Sequence, residues 1–245
     1  MAVRRRLWLM AAMVAVLVCF AAGGSLPGRM GRTQPQPEAR VSEEALYRGS
    51  EQIVLDIRIP VVSGLGDRKL ERMLNGRVRA QVDAARAAAE AEATALWCEA
   101  ERDGFLPWLY VFHADYEVYS VRGVLSMRVT AALDNGGTGL PHTVYYNVDV
   151  AKHKWLCLDD LFVSEAYKDV IGAYISDQIS DDERFLPEAF HGVSLDTSFF
   201  VHDGRLHIAF AKYEIADGMT GEPVFDIPPG LLRGLVKPEY AGQLL

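Results

Sequence analysis

Hydrophobic and polar residues alternate along several segments of the chain, which is the pattern of half-buried β-strands. In residues 52–62 the isoleucines and leucines fall on one side, and Asp56 and Arg58 fall on the other. Pro107–Tyr119 and Val124–Leu133 also alternate, and the short segment between them is suited to a tight turn. The pattern therefore predicts a first strand followed, later in the chain, by an antiparallel pair.

Further strands are predicted downstream. Thr143–Val150 is rich in valine and tyrosine, and Val224–Ile227 is a last short apolar segment. Thr197–Val201 and Leu206–Tyr213 flank Asp203-Gly204, which is the strongest hairpin signal in the chain. A second antiparallel sheet is therefore expected near the C-terminus.

Three segments have the periodicity of helices. Arg68–Glu101 has apolar residues every three or four positions and follows Asp67, a suitable N-cap. A second helix is predicted to start at Ser164 and run to about Ser180, and a short one closes the chain at Leu231–Val236. The apolar side of such a helix must be buried against another element, so we expect each helix to pack on a sheet.

Strands and helices are partly segregated along the chain, which favours an α+β fold over a strictly alternating one. We expect antiparallel sheets, a long helix in the N-terminal part, and a second helix packed on a C-terminal sheet. The predicted domains are a smaller N-terminal α/β lobe at 51–120 and a C-terminal domain at 121–245.

The N-terminus has the features of an export signal. Met1–Arg6 is basic, Leu7–Ala22 is an unbroken apolar run, and small residues follow to about residue 28. Three outcomes stay open: an uncleaved membrane anchor, cleavage near residues 22–24, and lipid attachment at Cys19. Each leaves the rest of the chain outside the membrane by the positive-inside rule. Residues 29–50 are predicted to form a flexible tether.

The net charge of the chain indicates which kinds of ligand it can bind. The 245 residues carry a formal net charge of −8, and removing Arg4–Arg6, the only charges before Arg29, leaves −11. An acidic exported domain argues against nucleic acid and anionic bilayers as ligands and favours a basic partner.

The three cysteines do not have metal-site spacing, because no C-x-x-C occurs. Cys98 and Cys157 could form one disulfide in an oxidising compartment. Equally, both could be small buried side chains, since cysteine is among the most buried residue types.

Motifs for known chemistry are weak or missing. No nucleophile-elbow, zinc-protease, P-loop or dinucleotide-binding pattern occurs. Residues 136–139 are glycine-rich but lie between strands, which disfavours a phosphate site. His202 and His207 flank a turn without further ligands nearby, so no metal and no cofactor is expected. Asp159 and Asp160 could act as acid and base, but they stand at a helix entry, where carboxylates commonly cap.

Two loops remain as candidate contact sites, because binding residues concentrate in loops on a rigid scaffold. The first is Asn135–Pro141 and the second is Tyr213–Gly221. The residues predicted to contact a ligand are Asn135, Gly136, Gly137, Pro141, Tyr213, Glu214, Asp217 and Met219.

From Tyr119 to about Val236 the chain resembles the outer half of RsiV-type anti-sigma factors and domains attached to some peptidoglycan deacetylases. The resemblance rests on the glycine turn with Pro141, on Leu158-Asp159-Asp160-Leu161-Phe162 before a helix, and on Tyr213-Glu214-Ile215-Ala216 with Gly221. The portion from Ile53 to about Tyr119 is similar to the smaller domain that usually precedes it.

The resemblance implies a non-catalytic, membrane-tethered module in the bacterial cell envelope. In the RsiV branch this module recognises lysozyme, a basic secreted protein. Asp217-Gly218 stands where the family usually has Pro-Tyr, so the ligand-facing character of this loop is not implied by the resemblance. The six residues before the apolar run leave no sigma-binding segment, so direct anti-sigma activity is not expected. The function predicted is a sensor for a secreted protein or a cell-wall component. The alternatives are an envelope polysaccharide hydrolase acting through Asp159, Asp160 or Glu214, and an accessory domain.

Overall fold

The computed structural model describes residues 38–134 and 140–245, which belong to one compact unit, Gln36–Leu245. The predicted signal or anchor at 1–28 and the start of the predicted tether lie outside the described residues. No helix in the described ranges is long and apolar enough to cross a membrane.

A six-stranded sheet and a three-stranded sheet form the framework, each with its strands in sequence order. The large sheet contains β1 Arg40–Gly49, β2 Ile53–Ser63, β3 Tyr110–Ser120, β4 Val124–Asp134, β5 His142–Asp149 and β6 Lys154–Trp155. The small sheet contains β7 Ser198–His202, β8 Arg205–Ala209 and β9 Val224–Ile227. The helices are α1 Arg68–Arg102, α2 Ala166–Ile179, α3 Pro229–Leu232 and α4 Pro238–Leu244. The α+β class is thus confirmed.

Helix α1 covers one face of the large sheet. It begins as predicted at Asp67, whose carboxylate accepts hydrogen bonds from the main-chain N–H groups of Lys69 and Leu70. Its buried residues pack with the inward residues of the strands, and Leu74 and Val78 are fully enclosed. Because α1 connects β2 to β3, these two strands are parallel, whereas every other pair in the two sheets is antiparallel.

The small sheet packs on α2 through one face. Asp203 and Gly204 form the hairpin turn, and both have positive φ angles, +48° and +74°, as a type I′ turn requires. The second core contains inward side chains from the sheet and the buried face of α2: Phe199, Val201, Leu206, Ile208, Tyr167, Ile171, Ile175 and Ile179. The expectation of a second helix on a C-terminal sheet is confirmed.

Strand β7 also contacts the face of the large sheet that α1 leaves open. Ser126 of β4 and Asn147 of β5 are buried there, and the Ser126 hydroxyl accepts a hydrogen bond from the Val201 main chain at 3.0 Å. The two sheets are therefore connected through buried side chains as well as through the chain itself.

Two expected boundaries differ from the structure. Residues 40–49, expected within the tether, form β1, which pairs with β2 from Arg40–Ser63 to Gly49–Val54. The side chains of β1 are nearly all exposed, so backbone pairing holds the strand and hydrophobic patterning could not indicate it. The expected domain boundary at 120/121 falls inside the β3–β4 hairpin, and the change from the first core to the second occurs after β5.

The structure also differs at two helix ends and gives the state of the two cysteines for which a disulfide was one open alternative. Cys98 and Cys157 are both free thiols: Cys98 is exposed near the end of α1, and Cys157 donates from Sγ to Asp160 at 3.3 Å. Helix α2 begins at Ala166, and Ser164 does not cap it. The short closing helix is replaced by α3 and α4, because Pro238 starts a new helical turn.

Candidate functional site

A cleft of about 240 Å³ opens between the start of β5 and the segment that follows β8. It is lined by Pro141, His142, Thr143, Tyr145, Ser198, Phe210, Ala211, Glu214 and Glu222. Pro141 comes from the first predicted contact loop and Glu214 from the second. The structure thus brings Pro141 and Glu214, which are 73 positions apart in the sequence, to one site.

Arg128 connects this cleft to the neighbouring strands. In the sheet register it stands between Glu117 of β3 and Tyr145 of β5. Its guanidinium lies 3.0 Å from the Glu117 carboxylate and 3.8 Å from that of Glu222. The Glu222 side chain is only 15% exposed, so its charge needs a nearby cation more than a surface carboxylate would.

Tyr145 is fixed by ring stacking on Phe200, with 5.6 Å between ring centroids and an interplanar angle of 7°. Tyr119 stacks on Phe200 as well, at 4.0 Å. Burial raises the pKa of Tyr145, although the Arg128 guanidinium opposes the shift. Its hydroxyl is buried, and the Arg128 guanidinium is the charged group that interacts with it most strongly. The cleft therefore combines two carboxylates with a neutral phenol held in one position.

The loop Tyr213–Gly221 is anchored at its centre. Ile215 and Ala216 are buried, each 1% exposed. Ile215 accepts a hydrogen bond from the main chain of Leu186 at 2.8 Å, and Asp217 donates to the carbonyl oxygen of Arg184 at 2.9 Å. The loop is therefore held against residues 184–186.

The outer part of the same loop is exposed but locally well ordered by hydrogen bonds. The Asp217 carboxylate accepts from the Thr220 hydroxyl and from the main-chain N–H groups of Thr220 and Met219, at 2.8–3.1 Å. These bonds, that from the Thr220 hydroxyl first, lower the pKa of Asp217. Met219 is 97% exposed and Tyr213 is 55% exposed. A rigid support thus presents two large side chains to solvent.

Glu214 has a local role at the base of the loop. Its carboxylate accepts from the Ala211 main chain at 2.7 Å, and its own N–H donates to the Ala211 carbonyl oxygen at 3.0 Å. This exchange closes the turn after β8, at the point where Glu214 lines the cleft.

The predicted contact residues therefore fall into three groups. Pro141 and Glu214 line the cleft, whereas Tyr213, Asp217 and Met219 lie on the adjoining loop. Asn135, Gly136 and Gly137 lie outside the described residues. Sequence reasoning missed Glu222, Tyr145 and Arg128. For Arg128 a signal was available, because it is the one charged residue between Val124 and Leu133.

The acidic pair considered for catalysis is engaged in local structure. Asp159 accepts a hydrogen bond from the Tyr167 hydroxyl. Asp160 lies 2.5 Å from Lys154 Nζ and accepts from the main chain of Cys157 at 3.1 Å. Burial alone would raise the pKa of Asp160, but the bonds from Lys154 and Cys157 outweigh it and hold the pKa below its usual value. Both carboxylates thus stabilise the 3₁₀ turn Leu158–Leu161 that leads to α2.

Among the described residues, histidines, cysteines and carboxylates do not form a metal site elsewhere. Within 38–134 and 140–245, no three of these side chains are placed to hold a metal ion. The His202 ring lies 3.1 Å from the carbonyl oxygen of Tyr119, and His207 stacks on Phe200 at 4.6 Å.

Comparison with known proteins identifies related sequences. Residues 159–229 match the family described as "Protein of unknown function (DUF3298)". The chain is 25% identical over 205 residues to "Anti-sigma-V factor RsiV" of Bacillus subtilis (strain 168). That match covers 76% of this chain and 66% of the relative, which is just under two thirds of its length.

A solved structure shows the same fold. The crystal structure of a DUF3298 family member from Bacteroides fragilis has a TM-score of 0.65 and 16% sequence identity. The match covers 86% of this chain and 98% of that one. Together these findings confirm the resemblance to RsiV-type proteins that the sequence predicts.

Proposed function

We propose that this RsiV-like chain is an extracytoplasmic sensing module that recognises a secreted basic protein of the lysozyme type. The observation that carries the proposal is the meeting of Pro141 and Glu214 at one cleft, beside a loop that exposes Tyr213 and Met219. Loops on a rigid scaffold are where proteins commonly place binding residues. The similarity to an anti-sigma factor supports a regulatory or sensing role.

Net charge supports a basic partner. Residues 1–37 contain five arginines and no acidic residue, so the total of −8 leaves −13 on residues 38–245. A charge of this size steers a cationic protein toward the domain and repels anionic ones. Glu214 and Glu222 place part of this charge at the cleft itself.

The loop supplies the apolar part of the contact. Exposed methionine adapts to irregular partner surfaces, and tyrosine provides a large contact area with little conformational entropy to lose. Hydrogen bonds to Asp217 already fix the loop, so little ordering is needed on binding. Because Asp217-Gly218 replaces the family's usual Pro-Tyr, we expect Tyr213, which packs over Gly218, to supply the aromatic contact.

Calorimetric titration of Gln36–Leu245 with a purified c-type lysozyme tests the proposal, since this unit contains both cores. We expect binding that weakens as salt rises. Met219→Ser should weaken it about tenfold, whereas Met73→Ser, which changes an exposed methionine of α1, should leave it unchanged. Muropeptides tested in parallel separate a protein ligand from a cell-wall ligand. If neither binds at about 100 μM, both named ligands are excluded.

We also propose that the module is non-catalytic. Asp159 and Asp160 are engaged by Tyr167, Lys154 and Cys157, which supports a structural role for the pair. Incubation with purified cell-wall polysaccharide tests this. Hydrolysis that is lost on alanine replacement of Asp159, Asp160 or Glu214 would instead support the hydrolase alternative.

Attachment to the envelope is proposed to use residues 1–28. The support is the basic start and the apolar run Leu7–Ala22. Mass spectrometry of the mature N-terminus, combined with fractionation, distinguishes an uncleaved anchor from cleavage near Ala22–Gly24 and from lipidation of Cys19. A full-length protein recovered from the cytosol would contradict the proposal.

A further inference from the structure

The connection between α1 and β3 exposes an unusual concentration of apolar side chains. In this apolar segment, Phe105–Leu109, the exposed fractions are 71% for Phe105, 92% for Leu106, 79% for Trp108 and 53% for Leu109. Single exposed apolar residues are common on soluble proteins, but four large ones within five positions form a patch of roughly 500 Å². Patches of this size commonly mark interaction sites.

The start of the apolar segment is fixed by the end of α1. Gly104 has a φ angle of +76°, which turns the chain out of the helix. The Phe105 N–H then donates to the carbonyl oxygen of Ala100 at 2.9 Å. The end of the segment is fixed by Tyr110, whose N–H donates to the carbonyl oxygen of Gln52 at 3.1 Å. The apolar side chains are therefore exposed by a connection that is anchored at both ends.

Sheet register places the apolar segment near the cleft. Val111, two residues beyond it, pairs with Asp134 at the end of β4, and β5 begins nearby at His142. The apolar segment and Pro141 therefore lie at the same end of the large sheet. Leu140, which is 65% exposed, adds to the apolar surface there. The first described residue, Glu38, lies at the opposite end of the large sheet, where it forms a β-bridge with Arg122.

Charge around the apolar segment limits what can cover it. Glu99, Glu101 and Asp103 precede it, and the one cation among them, Arg102, lies 4.0 Å from Asp103. A second copy of this chain would place like charges together, and an anionic bilayer would be repelled. A basic surface around an apolar pocket complements the arrangement instead.

We propose that the apolar segment Phe105–Leu109 is a second docking element that inserts into an apolar pocket, rimmed by basic residues, on a partner protein. The inference rests on the proposed function only for the identity of that partner as a secreted basic protein. It adds a contact that lies outside both loops and is contributed by the N-terminal part of the chain.

Trp108 provides a reporter for the test. Gln36–Leu245 is titrated with a short amphipathic lysine–leucine peptide, with its glutamate–leucine counterpart and with phosphatidylcholine–phosphatidylglycerol vesicles, while tryptophan emission is recorded. We expect a blue shift with the basic peptide alone, weakened by salt and abolished in Trp108→Phe. Leu106→Ser should weaken binding about tenfold, and Val163→Ser, a change at another exposed apolar position, should not.

Each other result would overturn the inference. These results are no Trp108 response, an equal response to both peptides, a stronger response to vesicles, and a concentration-dependent response without any peptide, which would indicate self-association. Lysozyme binding distinguishes the two proposals. If the basic peptide contacts Trp108 but lysozyme does not bind, only the named ligand of the proposed function fails. If lysozyme binds and Trp108 responds to nothing, only this inference fails.

Discussion

Asn147 donates its side-chain amide to the carbonyl oxygen of Phe199, with 2.7 Å between nitrogen and oxygen, and thereby joins the large sheet to the small one. Its side-chain oxygen accepts from Ser126, whose hydroxyl also accepts from the main chain of Val201. The side chains of Asn147 and Ser126 both lie in the interior, so each depends on the other and on the main chain of β7 for its hydrogen bonds.

Replacing Asn147 with leucine should therefore destabilise the protein strongly. The substitution leaves the buried Phe199 carbonyl oxygen without its donor and the Ser126 hydroxyl without an acceptor for its proton, although Ser126 still accepts from Val201. We expect the free energy of unfolding to fall by about 2–4 kcal/mol, measured by urea denaturation. Ser42→Ala removes an exposed hydrogen bond to Val61 and should change stability by less than about 0.5 kcal/mol. Equal effects of the two substitutions would refute a special role for the buried bond.

Tyr240 makes a second buried contact between distant parts of the chain. Its hydroxyl donates to the Asp149 carboxylate at 2.8 Å, and Asp149 is only 4% exposed. Burial, with this hydrogen bond, raises the pKa of Tyr240 to about 12. Tyr240→Phe removes a donor from a buried carboxylate and should cost about 1–3 kcal/mol of unfolding free energy.

Thermal denaturation of two matched variants tests this expectation. Tyr174 is also partly buried, but its hydroxyl has no hydrogen-bond partner among the described residues. Tyr174→Phe should therefore leave the Tm almost unchanged, while Tyr240→Phe lowers it by several degrees. A Tm for Tyr240→Phe equal to the original would show that Lys152, whose main-chain N–H donates to Asp149 at 2.8 Å, satisfies the carboxylate alone.

Most elements could be predicted because their signals are local. Asp203-Gly204 marks the turn between β7 and β8, and Asp67 marks the start of α1. Both lie where the sequence predicts them. Strand β1 could not be found in this way. Leu46 and Tyr47 are exposed, so no alternating pattern marks the strand, and its pairing with β2 depends on the backbone.

The candidate site was predictable only in part for a related reason. Glycine and aromatic residues mark the loop Tyr213–Gly221 as a contact site, and Pro141 marks the other loop. Glu222 and Tyr145 become part of the site only when the small sheet packs over β5, which is a relation between residues distant in sequence. A single charged residue between Val124 and Leu133, Arg128, indicates an ion pair, but the sequence does not identify Glu117 and Glu222 as its partners.

The position of Tyr213 in the loop Tyr213–Gly221 depends on the absence of a side chain at Gly218. A Cβ atom at this position would stand 2.3 Å from the Tyr213 ring, well inside contact distance. Gly218→Ala should therefore displace Tyr213 and weaken lysozyme binding about tenfold, with little loss of stability because the Tyr213 ring that must move is itself largely exposed. Calorimetric titration and thermal denaturation of the same sample measure the two effects.

Gly230→Ala is the matched control, since a Cβ there meets no atom within 4 Å. It should leave lysozyme binding unchanged. If Gly218→Ala binds lysozyme as the original protein does, Tyr213 does not make the proposed aromatic contact.

His207 should make stability depend on pH. Its ring stacks on Phe200, with 4.6 Å between centroids and an interplanar angle of 6°. Burial lowers the pKa of His207 below its ordinary value of 6.5; Asp226 opposes the shift, and Arg205 adds to it. The unfolded chain therefore takes up the proton first as the pH falls below 6.5, and the folded state loses stability until the pH passes the lower folded pKa.

His207→Phe keeps a ring on Phe200 but cannot be protonated. We expect its free energy of unfolding to fall less than that of the original protein between about pH 7 and pH 5, measured by urea denaturation across the range. His191→Gln, at an exposed position, should not alter the slope. Parallel curves for His207→Phe and the original protein would mean that burial of His207 does not contribute to acid sensitivity.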